Sequence, residues 1–257
     1  MELTGTSVLV TGGSGGLGAA AVRAFHAAGA AVVIADVADE PSSVLAKELG
    51  DRAVYVRTDV TDSASVEAAL ATAAELGVLR TAVVAHGGWG VSERIVNRAG
   101  QPAPLENFEK TISLYLVGTY NVLRLAAAAM AGSEAVDADG ARGAIITTAS
   151  IAAYEGQIGQ ASYAAAKGAV VSLTLAAARD LAPVGVRVNC IAPGTMRTPM
   201  METVGPEALA KFEAAVPFPS RLGRPEEYGA LAVHIAGNGY LNGETIRLDG
   251  AQRLSPR

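Results

Sequence analysis

Ser7-Val8-Leu9-Val10-Thr11-Gly12-Gly13-Ser14-Gly15-Gly16-Leu17-Gly18-Ala19 passes from a β-branched apolar run through a glycine cluster into a helical pattern. Glycines there let the backbone turn tightly, and the helix behind them presents free N–H groups and a partial positive charge to an anion. A glycine triplet alone is a weak signal; a strand before it and a helix after it supply the context that anion binding requires. Working outward, short β-branched apolar runs recur at 31–36, 53–57, 81–85, 143–148, 187–192 and 244–248, which with 7–11 make seven expected strands. Between them lie Ala- and Leu-rich stretches with helical spacing, among them 19–28, 63–75, 105–131 and 160–181. Buried strands alternating with helices predict an α/β fold, a doubly wound seven-stranded parallel sheet with helices on both faces. The alternation runs without a polar linker, so residues 1–257 are read as one domain.

Composition narrows the possible partners. The 257 residues carry 20 Lys+Arg against 25 Asp+Glu, a net charge of −5, which offers no electrostatic footprint for nucleic acid or an anionic membrane. Half of the chain is hydrophobic, but much of that is alanine, and no apolar run approaches the roughly 20 residues of a spanning helix. Met1-Glu2-Leu3-Thr4-Gly5 has no basic region followed by an apolar core, so a cytoplasmic protein is expected. Cys190 is the single cysteine and excludes an internal disulfide; it reads as a small core residue. His26 and His234 fall in helical patterns, and no His/Cys/carboxylate cluster has metal-ligand spacing, so no catalytic metal is expected. The irregular stretches are 87–104, 132–142 and 193–205. The second reads as a solvated surface loop, and long loops in such a fold usually shape a substrate site.

The first βαβ unit reads as a Rossmann fold that binds a dinucleotide. Gly12, Ser14, Gly16, Leu17 and Gly18 would cradle its pyrophosphate. The second strand ends in Asp36, where a carboxylate can accept hydrogen bonds from an adenosine ribose and repels a 2′-phosphate. No Lys or Arg stands between Glu2 and Arg23, so NAD is favoured over NADP. Asp59 and Val60, ending the third strand, are placed for the adenine edge; Asp59 equally suits a turn or helix cap.

A different chemistry collects in the second half. The strand 143–148 leads to Ser150, and Tyr163 and Lys167, four apart, share one helix face. A phenol with a pKa near 10 is a poor base at neutral pH, and a nearby ammonium and a positive nicotinamide ring would both favour the phenolate. Ser150 could hold a substrate oxygen.

Thr11-Gly12-x-x-x-Gly16-x-Gly18, Ser150, Tyr163-x-x-x-Lys167 and Pro193-Gly194 with Thr198 resemble the short-chain dehydrogenase/reductase family over essentially the whole chain. The strings 152–160, 178–183, Pro217-Phe218-Pro219-Ser220-Arg221-Leu222-Gly223 and Leu241-Asn242-Gly243-Glu244 are similar to its type 2 3-hydroxyacyl-CoA dehydrogenase branch. The resemblance implies Tyr163 as general acid/base, Lys167 on the nicotinamide ribose and lowering the tyrosine pKa, and Ser150 positioning the carbonyl or alcohol. It further implies Gln157 beside the substrate, an acyl-CoA thioester or another secondary alcohol, and Pro193, Gly194 and Thr198 at the nicotinamide. It also implies a homotetramer with the long helices and last strand at the interfaces.

Two departures meet at one corner. After the fourth strand the family's Asn-Asn/Cys-Ala-Gly is replaced by Ala85-His86-Gly87-Gly88, with Gly87 retaining the adenine-side backbone contact. The asparagine of the family's catalytic tetrad falls at Tyr115. Tyr115 and His86 could form a substituted proton relay, or Tyr115 could merely pack. Trp89 either shapes the substrate pocket or packs its loop. A non-catalytic or impaired dinucleotide binder, and a reductase of 3-oxoacyl-carrier-protein or steroid substrates, are the competing readings; Asp36 opposes the NADPH that a carrier-protein reductase would usually want.

Overall fold

All seven expected strands form in a computed structural model that describes residues 2–88 and 90–256. They are β1 (Thr6–Thr11), β2 (Ala31–Asp36), β3 (Ala53–Arg57), β4 (Val78–Val84), β5 (Gly143–Thr148), β6 (Val186–Pro193) and β7 (Thr245–Leu248). Every pairing is parallel, in the order β3-β2-β1-β4-β5-β6-β7. The helices are α1 (Gly16–Ala27), α2 (Asp39–Leu49), α3 (Ser63–Leu76), α4 (Leu105–Ile112), α5 (Gly118–Ala131), α6 (Ala161–Leu181), α7 (Pro199–Glu202), α8 (Pro206–Ala214) and α9 (Pro225–Gly237).

The period-2 alternation of each strand divides the core into two layers. Leu9, Val33, Val84, Ile145 and Val188 face α3, α5 and α6, where they meet Val66, Leu70, Val122, Ala126, Met130 and Ala177. Val8, Val10, Val32, Ile34, Val83 and Ile146 face the other way, onto Val22 and Phe25 of α1 and Tyr228, Ala232 and Ile235 of α9. Each large side chain buried this way contributes about 1.5–3 kcal/mol, enough to hold both helical layers without a disulfide.

Several boundaries differ from the sequence reading. The fourth strand starts at Val78 because Arg80 is buried in it, with its guanidinium donating to Ser133 Oγ at 2.8 Å and the Arg142 carbonyl at 2.7 Å. The stretch 105–131 is helical throughout but changes to a π turn at Ser113–Val117. The stretch 193–205 holds α7, whose amino end is capped by Thr198 accepting from the Met201 N–H at 3.2 Å. By length and composition Leu105–Ala131 and Ala161–Val184 are apolar enough to cross a membrane, which corrects the expectation that no stretch reaches that length. Both lie over the sheet, and buried apolar residues of each, among them Val122, Met130 and Ala177, belong to its core.

Candidate active site

Because β1 and β4 are neighbours while the chain winds outward from them in opposite directions, a crevice opens at their carboxyl ends. The glycine loop closes one end of it. Gly12 has φ +62°, and a Cβ there would lie 2.5 Å from the Cα of His86; a Cβ on Gly18 would collide with the Gly12 carbonyl oxygen. Gly16 lies against Thr198, so loop and α7 meet over the crevice. Asp36 ties the loop to the sheet: its Oδ2 accepts from the Ser14 N–H at 3.0 Å and the Ser14 hydroxyl at 2.8 Å, and its Oδ1 accepts from the Ala38 N–H at 3.1 Å. A backbone cradle that side chains would fill, with a carboxylate at its edge, fits a dinucleotide.

Next to this cradle a cleft of about 410 Å³ is lined by Leu17, Gly87, Tyr115, Ser150, Tyr163, Lys167, Pro193, Gly194 and Thr198, nine of the expected site residues. Ser150 caps a 3-10 turn, Ile151–Ala153, by accepting from the Ala152 N–H at 3.1 Å, which fixes its hydroxyl at the end of β5. Lys167 is fully buried and donates to the Thr148 carbonyl at 2.7 Å; burial pushes its ammonium down to about 8. Tyr163, one turn earlier on α6, is also enclosed. Burial raises its phenol above the ordinary value, and the Ser150 hydroxyl beside it only partly offsets this. Within the chain alone, the phenol is therefore held in its neutral form by burial. The Lys167 Nζ lies 5.8 Å from the Tyr163 ring centre.

A sequence profile described as short chain dehydrogenase matches residues 6–208. The chain belongs to the short-chain dehydrogenase family. Over 257 residues it is 45% identical to human 3-hydroxyacyl-CoA dehydrogenase type-2, covering 99% of this chain and 98% of that one. The Drosophila melanogaster protein of the same name is 45% identical over 250 residues, 96% and 97% of the two chains. A crystal structure of 3-hydroxyacyl-CoA dehydrogenase type-2 from Mycobacterium avium superposes with a TM-score of 0.96 at 60% identity, covering 98% of both chains.

In this dehydrogenase three of the expected site residues, Asp59, Val60 and Gln157, are engaged within the chain. Asp59 uses its carboxylate in its own turn, accepting from the Thr61 N–H at 2.9 Å and hydroxyl at 2.7 Å, which lower its pKa. Val60 is buried, its carbonyl accepting from Asn121 Nδ2 at 2.9 Å. Neither lines the cleft. Gln157 donates to the Ser255 carbonyl at 3.0 Å and is held by the carboxyl-terminal tail; Gln160 lines the cleft instead. Trp89 lies outside the described residues.

The Tyr115 and His86 corner is also built differently from a relay. The Tyr115 hydroxyl donates to the Gly88 carbonyl at 2.5 Å and accepts from the Gly88 N–H at 3.1 Å, and burial raises its pKa to about 12. His86 is fully buried and pushed down to about 4, so it is neutral at physiological pH. A carbonyl can only accept, so His86 Nε2 donates to Leu114 O at 3.1 Å and Nδ1 accepts from the Thr11 hydroxyl at 2.9 Å. Neither side chain's hydrogen bonds lead to the other or to Lys167, and neither titrates near neutrality.

The cleft's apolar wall, Val91, Met196, Met200 and Met201, escaped the sequence reading. The one signal for it was the placement of these residues in long irregular stretches beside motif residues. Methionine suits a wall that must adapt to different apolar groups.

Proposed function

We propose that this short-chain dehydrogenase interconverts a 3-hydroxyacyl-CoA and the corresponding 3-oxoacyl-CoA, with NAD as its dinucleotide. The observation that carries this reading is the convergence of Ser150, Tyr163 and Lys167 on one cleft beside the glycine cradle. Asp36 supports NAD, because its charge accepts ribose hydroxyls and repels a 2′-phosphate, and the loop that it braces contains no cation. Gly12, Ser14, Gly16, Leu17 and Gly18 would hold the pyrophosphate, Asp36 the adenosine ribose, and Pro193, Gly194 and Thr198 the nicotinamide. When bound, the nicotinamide accepts or returns the hydride and, oxidised, adds a positive charge to the site.

The chain's own groups manage the proton. Ser150 orients the substrate oxygen toward Tyr163. The buried phenol, protonated near neutral pH, is in the form that gives a proton to a carbonyl being reduced. For alcohol oxidation the phenolate is needed, and Lys167, held on the Thr148 carbonyl, supplies positive charge toward it. The likeness to proteins named 3-hydroxyacyl-CoA dehydrogenase and the adaptable apolar wall support an acyl-CoA thioester, and with it a place in fatty-acid β-oxidation. A homotetramer is proposed with it, supported by the exposed side chain of Tyr120, which lines an apolar groove between α5 and α6; light scattering would test it.

The decisive experiment is absorbance of reduced dinucleotide formed from 3-hydroxybutyryl-CoA with NAD, with NADP, and in Tyr163→Phe. Turnover with NAD that vanishes in the variant is expected. Dinucleotide binding without turnover across a panel of secondary alcohols would instead favour an impaired binder, the reading that the Tyr115 substitution raises.

A further inference from the structure

Tyr115 is buried in the π turn Ser113–Val117, and its two ends touch different parts of the cleft. Its ring lies 4.7 Å, centre to Nζ, from the Lys167 ammonium and meets the Tyr163 ring edge-on, at 5.2 Å and 83°. Its hydroxyl is held by both backbone groups of Gly88. Gly88 belongs to a rim segment that is fastened further along. Gly90 faces the Tyr163 ring, the Glu93 N–H donates to the Gly159 carbonyl at 2.9 Å, and Asn107 Nδ2 donates to Glu93 Oε2 at 3.1 Å.

An ammonium has three donors. Among the described residues, one donor of Lys167 meets an acceptor, the Thr148 carbonyl, and no carboxylate pairs with the charge. The groups that face it are the Tyr163 phenol from α6, the Tyr115 ring from the π turn, the His86 imidazole after β4 and the Cys190 thiol from β6. Of these, the negative face of an aromatic ring is the neutral surface best suited to a desolvated cation.

We propose that Tyr115 is a positioning residue with two separable parts: its ring seats the Lys167 ammonium, and its hydroxyl fastens the Gly88 rim of the cleft over Tyr163. This rests on the reading of Tyr163 and Lys167 as the reacting pair. It replaces a proton relay through the hydroxyl, because that hydroxyl is engaged on both sides by backbone. The side chain that stands in place of the family's asparagine thus acts through Lys167 and the rim rather than on the substrate.

The two parts come apart in Tyr115→Phe, which keeps the ring, and Tyr115→Leu, which keeps neither. The chain has four lysines, Lys47, Lys110, Lys167 and Lys211, so 13C-lysine NMR resolves the Lys167 titration, assigned with Lys167→Arg. In Tyr115→Leu the Lys167 pKa is expected to fall by about one pH unit, the scale of a desolvated cation–π contact, while Tyr115→Phe leaves it in place. In Tyr115→Phe the KM for the secondary alcohol rises about fivefold, the scale of one lost hydrogen bond, and the pH profile of kcat is unchanged. Tyr115→Asn, which restores the family residue, is the second ring-less variant should the leucine variant not fold, with the same fall expected. An equal Lys167 pKa in all forms overturns the proposal, as does a kcat pH profile that moves as far in Tyr115→Phe as in Tyr115→Leu. The NMR titration needs no substrate, so a protein without turnover would refute the dehydrogenase reading while this one is still decided.

Discussion

Asp36 at the end of β2 and Ser14 in the glycine loop are joined by two hydrogen bonds on one carboxylate oxygen, from the backbone N–H at 3.0 Å and the hydroxyl at 2.8 Å. The charge that would discriminate between dinucleotides thus also shapes the cradle. Asp36→Asn keeps the outline and removes the charge. Hydrogen bonds to charged groups contribute about 1.5–3 kcal/mol each, so NAD should bind about tenfold or more weakly. NADP, freed from repulsion, should bind more tightly. Calorimetric titration with both dinucleotides checks this, and an unchanged ratio would remove Asp36 from the discrimination.

Tyr163 separates chemistry from binding. In Tyr163→Phe the edge contact with Tyr115 needs no hydroxyl and survives, so the melting temperature should stay close to that of the parent protein. Loss of general acid/base catalysis lowers turnover by about 10²- to 10⁴-fold. Dinucleotide affinity is expected to be retained, and a parallel loss of affinity would show that the variant had disturbed the cleft itself.

His86 makes the fold sensitive to acid. Its folded pKa of about 4 lies below the ordinary 6.5, because a fully buried imidazole between Thr11 and the Leu114 carbonyl resists charging. As pH falls, the unfolded chain takes up this proton first. The contribution is therefore fully present above about pH 6.5, is lost progressively down to about pH 4 and amounts to about 3 kcal/mol. Denaturant titrations of the parent and His86→Asn across this range should differ by an amount that shrinks by about that much on acidification. A pH-independent difference would mean that His86 does not titrate in this way.

The layers were legible because each is written locally. β-branched runs and their alternating faces predicted all seven strands, and the glycine cluster predicted the cradle before β1 was seen beside β4. What failed depended on distant chain. Arg80 hid the start of β4, because a charged residue reads as outside a strand until Ser133 and Arg142 are folded over it. The π turn at Ser113–Val117 displaces the helical pattern too little to show in apolar spacing, yet it sets where Tyr115 points. Gln157 was placed beside the substrate by the family resemblance, which carries no sign that Ser255, 98 residues away, holds its amide. Tyr163, Lys167 and Ser150 were found from motif and order, but the burial that raises the phenol appeared only once α6 was packed.

Gly18 and Gly132 offer a paired test of the cradle. A Cβ at Gly18 would collide with the Gly12 carbonyl oxygen, and backbone cannot swing aside as a side chain does. Gly132, the C-cap of α5, has φ −77°, and a Cβ there would meet nothing nearer than 3.8 Å. Gly18→Ala forces the loop outward, at a cost of about 1–3 kcal/mol in stability, and spoils the N–H array that would face a pyrophosphate. Its melting temperature and dinucleotide affinity should both fall. Gly132→Ala, at an ordinary surface position, should change stability by no more than about 0.5 kcal/mol and leave affinity untouched. Thermal melts with and without NAD distinguish the two. Equal behaviour of the variants would mean that close approach at Gly18 is not what requires glycine there.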